Sequence, residues 1–192
     1  MEYFTGDWET DTGIMYAFLD AVEFYCGTES CKLNNRSNRN AGRMKYGTTW
    51  RTFLRYNPIT GEKEFLPKAK ENPNLGYTKV KCCNPVLDYV FKEFQLLYFS
   101  DFEYSSVQLT KNFEIKRHID SKNMGESVLV AFGDYKGGET VVEIGKGGDW
   151  IIDAREKPYK FNGSKYYHYV KPFTDGDRFS LVYYKLDKEM VK

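Results

Sequence analysis

The chain has 192 residues, 41% of them hydrophobic, which suffices for one domain with a sizeable core and is too few for two ordinary ones. Lys and Arg number 28 against 27 Asp and Glu, a net charge of +1, so nothing pulls the whole molecule toward a polyanion or a membrane surface and any electrostatic preference must be local. The opening residues Met1 to Asp7 lack the basic and then apolar runs of a secretion signal, and no apolar stretch has the length of a membrane span, so a soluble intracellular protein of the cytoplasm or nucleus, without membrane partners, is expected. Aromatic residues make up 17% of the chain, with 16 Tyr and 14 Phe, and flat rings of this kind favour a β-rich fold.

A first helix is expected from Gly13 to Cys26, where Ile14, Phe18, Ala21, Val22 and Tyr25 fall on one stripe, Asp11 or Thr12 can cap it and Gly27 can end it. The stretch Lys32 to Arg55 then carries Lys32, Arg36, Arg39, Arg43, Lys45, Arg51 and Arg55 without a single acid. Cys26, Cys31, Cys82 and Cys83 lack the C-x2-C spacing of a zinc site and read as thiols kept reduced in a cytosol. Tyr56 to Glu62 is a turn, and Pro67 to Gly76 a polar loop. A second helix starts with Asn84 as cap and Pro85 at the first helical position, its apolar face made of Leu87, Val90, Phe91, Phe94 and Leu97.

From Ser105 onward short segments rich in Val, Ile, Tyr and Phe alternate with Gly pairs and an Asp-Gly turn. The expected strands are Val107 to Phe113, Ile115 to Ile119, Val128 to Phe132, Thr140 to Ile144, Trp150 to Asp153, Tyr166 to Val170 and Phe179 to Leu186. Strands at this close spacing point to a mainly β protein with a double-sheet jelly roll rather than to alternating βαβ units. The whole of 1–192 is read as one domain, with a helical and loop elaboration over 1–100 and a jelly-roll catalytic core over 101–192.

The sequence contains two histidines. One lies in Lys116-Arg117-His118-Ile119-Asp120, where strand parity turns His118 and Asp120 to one face, so that an imidazole and a carboxylate can converge on one point. The other, His168, lies on an expected strand near the C-terminus, which a β-sandwich can bring opposite the first. Two His and one carboxylate on one face of an ion form the facial triad typical of non-haem iron(II) oxygenases, with open positions for a chelating 2-keto acid and dioxygen. A second carboxylate on such an acid calls for a cation at the far end of the pocket. Arg178, one strand further along, can supply a planar guanidinium, and Ser180, two residues on, a hydroxyl on the same face. Taken singly, an H-x-D tripeptide, a strand histidine or a terminal-strand arginine is more often structural; the ordered conjunction of all of them carries the weight.

His118-Ile119-Asp120, His168 and Arg178 with Ser180 resemble the H-x-D…H…R-x-S signature of the iron(II)/2-oxoglutarate-dependent dioxygenase superfamily, over roughly Glu93 to Leu186. The resemblance implies a double-stranded β-helix (jelly roll) core, Fe(II) held by His118, Asp120 and His168 as the catalytic centre, 2-oxoglutarate as co-substrate and O2 as oxidant. It also implies decarboxylation of 2-oxoglutarate to succinate while a C–H bond of the substrate is oxidised. Asp120 to Gly125, Gly133 to Gly138, Phe161-Asn162-Gly163 and Pro172-Phe173 through Tyr184 look like the TET/JBP-type branch, which oxidises the methyl of modified pyrimidines. In related enzymes an Asn or Tyr near the position of Asn112 reaches the co-substrate, which adds Asn112 to Arg178 and Ser180 as a co-substrate contact.

Phe132 and Trp150 are candidate apolar walls of the pocket, although aromatics on strands are more often plain core. Interleaving of the basic stretch Lys32 to Arg55 with Tyr46, Trp50 and Phe53 suits phosphate contact and base stacking, which favours a nucleic-acid partner and a 5-methylpyrimidine-type substrate. A solvated surface loop explains the same charges. A protein side-chain (prolyl-type) or small-molecule hydroxylase therefore remains an alternative, as does a non-catalytic jelly-roll binding module.

Overall fold

A computed structural model describes residues 3–21, 42–50, 54–56, 63–65, 77–80 and 85–186. The four cysteines, most of the basic stretch Lys32 to Arg55, the turn at 57–62 and the expected cap Asn84 lie outside the described residues. No described helix is long and apolar enough to cross a membrane.

The fold is mainly β. In chain order the elements are α1 (Trp8–Ala21), β1 (Gly42–Trp50), β2 (Leu54–Tyr56), β3 (Lys63–Phe65), β4 (Tyr77–Val80), α2 (Pro85–Tyr98), β5 (Ser106–Lys111), β6 (Asn123–Phe132), β7 (Lys136–Gly137), β8 (Thr140–Glu143), β9 (Asp149–Ile152), β10 (Tyr159–Phe161), β11 (His168–Val170), β12 (Phe173–Thr174) and β13 (Phe179–Leu186). A major sheet runs in the order β10-β6-β13-β5-β1-β4, and a minor one in the order β11-β8-β9, with the short pair β12-β7 beside it. Every pairing in both sheets is antiparallel. The first hundred residues thus add strands as well as helices: β1 pairs with β5 from Gly42↔Lys111 to Gly47↔Ser106, so part of the basic stretch is a strand of the major sheet.

Alternation along the strands explains the layering. Val107 and Leu109 of β5, Val128, Val130 and Phe132 of β6, and Phe179, Leu181 and Tyr183 of β13 point to one face, where Met15 and Leu19 of α1 and Leu87, Val90, Phe91 and Phe94 of α2 cover them. The opposite face sends Leu129 and Ala131 toward Val142 and Ile152 of the minor sheet. Two facing sheets with helices behind the larger one make the jelly roll.

Several details depart from expectation. α1 begins at Trp8, because Asp7 caps it: the Asp7 carboxylate accepts the Thr10 amide at 2.9 Å. Asp11 is not a cap but is buried on the inner stripe with Met15 and Leu19, where it accepts hydrogen bonds from the Thr5 amide (2.7 Å) and hydroxyl (2.8 Å), the Gly6 amide (2.9 Å) and the Tyr98 hydroxyl (2.6 Å). Leu97 of α2 is 47% exposed rather than part of the buried face. Residues 115–119 form no strand; only an isolated antiparallel bridge joins His118 to His168. Phe132 belongs to the helix-covered core, and Trp150 is 38% exposed and packs edge-on against Tyr159 at 6.0 Å, so neither walls the pocket between the sheets.

Candidate metal centre

The segment carrying His118 and Asp120 is extended and laid across the mouth of the roll by a few backbone bonds. The Ile115 carbonyl accepts from Val170, His118 and His168 exchange both amide bonds at 3.0 Å, and the Asp120 amide donates to the Gly163 carbonyl at 2.9 Å. His168 itself is anchored on β11, paired with Val142 of β8. The outcome is that His118, Asp120 and His168 each offer one ligand atom, all within 4.8 Å of one another. His118 Nε2 lies 3.6 Å from Asp120 Oδ1, and His168 Nε2 lies 3.6 Å from Asp120 Oδ2.

Both rings are oriented from behind. His118 Nδ1 is 2.7 Å from the Lys116 carbonyl and His168 Nδ1 is 3.1 Å from the Tyr166 carbonyl. A carbonyl only accepts, so each Nδ1 donates and each ring turns Nε2, the atom a ligating histidine uses, toward the centre. Burial by itself would raise the Asp120 carboxyl, but the two imidazoles outweigh it and hold it far below the usual carboxylate range. The Asp120 contact in turn raises His118 against the opposing effect of burial. Gly163 closes one side: a Cβ there would sit 3.1 Å from His168 Cε1 and 3.4 Å from Asp120 Oδ2. A side chain there would need these neighbours to give by a few tenths of an ångström, so glycine suits the Asn162-Gly163 turn.

A cavity of about 270 Å³ runs inward from these three residues between the sheets, and Arg178, Ser180 and Thr140 also line it. Arg178 is 1% exposed. Its Nε donates to the Gly138 carbonyl at 3.2 Å, and its guanidinium lies 5.5 Å from the Tyr135 ring and 5.8 Å from that of Phe173. Gly138, at φ +75°, passes so close beneath that a Cβ would meet Tyr135 at 2.8 Å and Arg178 at 3.1 Å. Nη1 of Arg178 is buried without a hydrogen-bond partner among the described residues, and so is Oγ1 of Thr140. Ser180 Oγ and Thr110 Oγ1 are 2.6 Å apart. Uncompensated buried donors of this kind are costly unless a ligand meets them.

Asn112 stands elsewhere. It has left β5 with φ +46°; its amide oxygen accepts the Arg178 N–H at 2.7 Å, its amide nitrogen donates to Asp177 at 2.5 Å, and its own N–H donates to the Arg178 carbonyl at 2.8 Å. It is not among the residues lining the cavity, so the expected co-substrate contact becomes a backbone brace for Arg178. Strand alternation instead turns Gln108 and Thr110 of β5 inward: Gln108 lines the cavity and Thr110 bonds Ser180. Thr140 and Gln108 escaped the sequence reading because Thr and Gln at alternate strand positions look the same on a solvated face as on a polar cavity wall.

No family model matches the chain, and neither does any curated protein. Among solved structures, it is similar to a 2OG-Fe(II) oxygenase family oxidoreductase from Burkholderia pseudomallei, at 19% identity and a TM-score of 0.42, over 56% of this chain and 60% of that one. The chain is also similar to NgTET1 in complex with 5mC DNA, at 15% identity and a TM-score of 0.47, over 96% of this chain and 70% of that one. A prolyl-4-hydroxylase from Pseudomonas putida matches at 13% identity and a TM-score of 0.44, over 97% of this chain and 90% of that one.

Proposed function

We propose that the chain is an iron(II)- and 2-oxoglutarate-dependent dioxygenase. The observation that carries this is the pairing, in one cavity, of the His118, Asp120 and His168 ligand set with a buried guanidinium whose Nη1 has no partner among the described residues. Thr140 lies two residues along β8 from Val142, which pairs with His168, so about 7 Å separates the two levels at a strand's rise of ~3.3 Å per residue. A five-carbon diacid is commensurate with that span.

The donor set fits the group: two neutral imidazoles and one ionised carboxylate suit iron(II) and leave it positions for exogenous ligands. Iron bound there would supply activation of dioxygen, for a reaction in which 2-oxoglutarate loses CO2 and one oxygen atom enters succinate while the other enters the substrate. The protein's own contribution is to hold three ligand atoms on one side, and to receive the distal carboxylate on Arg178 with the hydroxyls of Ser180 and Thr140. Apolar walls from Leu129, Val182 and Phe161 keep the reacting end away from bulk water.

For the substrate we propose a modified pyrimidine, of the 5-methyl type, in a nucleic acid. Support comes from the cation-rich, aromatic-bearing stretch Lys32 to Arg55. Two measurements test the scheme. Anaerobic addition of iron(II) and 2-oxoglutarate gives a weak visible charge-transfer band that His118→Ala and Asp120→Ala abolish. Succinate release is then stimulated by methylated DNA or RNA. Stimulation by a peptide or a metabolite instead assigns a side-chain or small-molecule hydroxylase, whereas absence of both band and succinate leaves a non-catalytic binding module.

A further inference from the structure

The segment bearing His118 has little ladder of its own, yet on the outer face of the minor sheet Arg117 makes a paired contact. Its Nε donates to Glu143 Oε1 at 2.8 Å and its Nη2 to Glu143 Oε2 at 2.7 Å, while the guanidinium carbon Cζ lies over the Tyr167 ring, 3.6 Å from its centroid. Glu143 ends β8, and Tyr167 immediately precedes His168; the two are tied by the Glu143 amide donating to the Tyr167 carbonyl at 2.9 Å.

We infer that Arg117, through Glu143 and Tyr167, is a positioning residue for the His118 imidazole. The assignment rests on the metal-site proposal above. The chain of contacts is short. The peptide unit between Lys116 and Arg117 carries the carbonyl that receives His118 Nδ1 at 2.7 Å, so the plane of that peptide sets the direction of Nε2. Fixing the Arg117 side chain onto β8 and Tyr167 fixes its Cα and with it that peptide plane. A bidentate fork stacked on a ring restricts rotation far more than a single lysine contact would. His118 is half-exposed at the rim and its ring meets that of His168 at 4.2 Å, whereas the buried His168 is also met edge-on by Phe161 at 5.1 Å. Outer partners of ligating histidines commonly alter metal affinity about 10- to 100-fold; an exposed one belongs at the lower end.

The test uses the full chain, titrated anaerobically with Mn(II) and with Co(II) in the absence of 2-oxoglutarate, comparing wild type, Arg117→Ala, Glu143→Ala and the double variant. Each single change raises the metal Kd about tenfold and alters the Co(II) ligand-field spectrum, the double variant is no worse than either, and the metal-free melting temperatures stay level. Lys160→Ala, which removes an exposed ion pair with Asp101, leaves the Kd unchanged. Affinities within twofold of wild type, or losses that add in the double variant, overturn the assignment while leaving the metal site standing. A wild type that binds neither ion overturns both.

Discussion

Replacing Arg178 by Met separates a co-substrate clamp from a structural arginine, because the two roles move stability in opposite directions. Arg178 is 1% exposed, and burial pushes its guanidinium pKa down, so a charge sits in a poor medium with one buried nitrogen unpartnered among the described residues. Exchanging buried ionic groups for apolar side chains of similar volume is often neutral or stabilising by about 1–4 kcal/mol, although Arg178 also gives up its contacts with the Tyr135 and Phe173 rings. The Gly138 carbonyl loses the Nε bond, which offsets about 1 kcal/mol. For a chain of this size 1 kcal/mol corresponds to about 2–4 °C, so ligand-free Arg178→Met melts level with wild type or several degrees above it. With Mn(II) saturating throughout, 2-oxoglutarate at a hundred times Kd adds about 2.7 kcal/mol to wild type, or roughly 5–11 °C, and adds almost nothing to the variant. Two charge-assisted bonds lost amount to about 3 kcal/mol, a fall in affinity of ~100-fold. The assay is anaerobic differential scanning fluorimetry with and without 2-oxoglutarate. A ligand-free variant that melts well below wild type, or one that binds 2-oxoglutarate within threefold of wild type, refutes the clamp.

Asn112→Gly keeps the positive φ that the position needs while removing the brace on the Arg178 backbone; calorimetry should show 2-oxoglutarate affinity falling about tenfold with Mn(II) affinity unchanged. Gly163→Ala pushes a methyl against His168 and Asp120 and should cost about tenfold in Mn(II) affinity, with the melting temperature of the metal-free protein little altered. Asp11→Ala strands the Tyr98 hydroxyl and the Thr5 and Gly6 amides, at about 2 kcal/mol in urea unfolding at pH 7. Burial tends to raise the Asp11 carboxyl, but its hydrogen bonds outweigh this and lower it. The contribution is therefore fully present above the unfolded value of about 3.9 and is lost as pH falls through the lower folded one, so the gap between wild type and variant closes in acid.

The β-rich class was legible because one physical rule governs most of the later chain. Wherever a strand is covered on both faces or alternates strictly, as at Val128 to Phe132 and Phe179 to Leu186, the pattern alone locates it. Where the rule fails, the reason is local. Ile115-Lys116-Arg117-His118-Ile119 alternates like a strand, yet the Val170 amide on the Ile115 carbonyl and the two-bond His118 bridge are too few to make a ladder. Tyr159–Phe161 pairs with β6 as an edge strand too short to carry a period. The start of α1 was misplaced because Asp11, a good cap by type, is instead the buried acceptor that ties Thr5, Gly6 and Tyr98 together, a tertiary role that residue type does not reveal. The resemblance places Asn112 at the co-substrate, but its left-handed backbone takes it out of the line of β5, where it bonds Arg178 and Asp177 instead.

The two halves of the proposed site are built to different standards of rigidity. Ser180 lies on β13, which is paired along its length with β5 on one side and β6 on the other, and Arg178 enters that strand already braced by Asn112. His118 and Asp120 lie on a segment with one isolated bridge, and His168 on a strand of three residues. Backbone with few paired neighbours opens at lower free energy than a central strand. The ligand half therefore depends on contacts outside the ladder: the Gly163 carbonyl on Asp120, the carbonyls behind each imidazole, and the Arg117 fork on Glu143. A metal that draws His118, Asp120 and His168 together adds the cross-link that this half lacks, whereas the carboxylate end gains a partner for a charge already held in place. Metal binding should thus order backbone, and co-substrate binding should chiefly satisfy electrostatics.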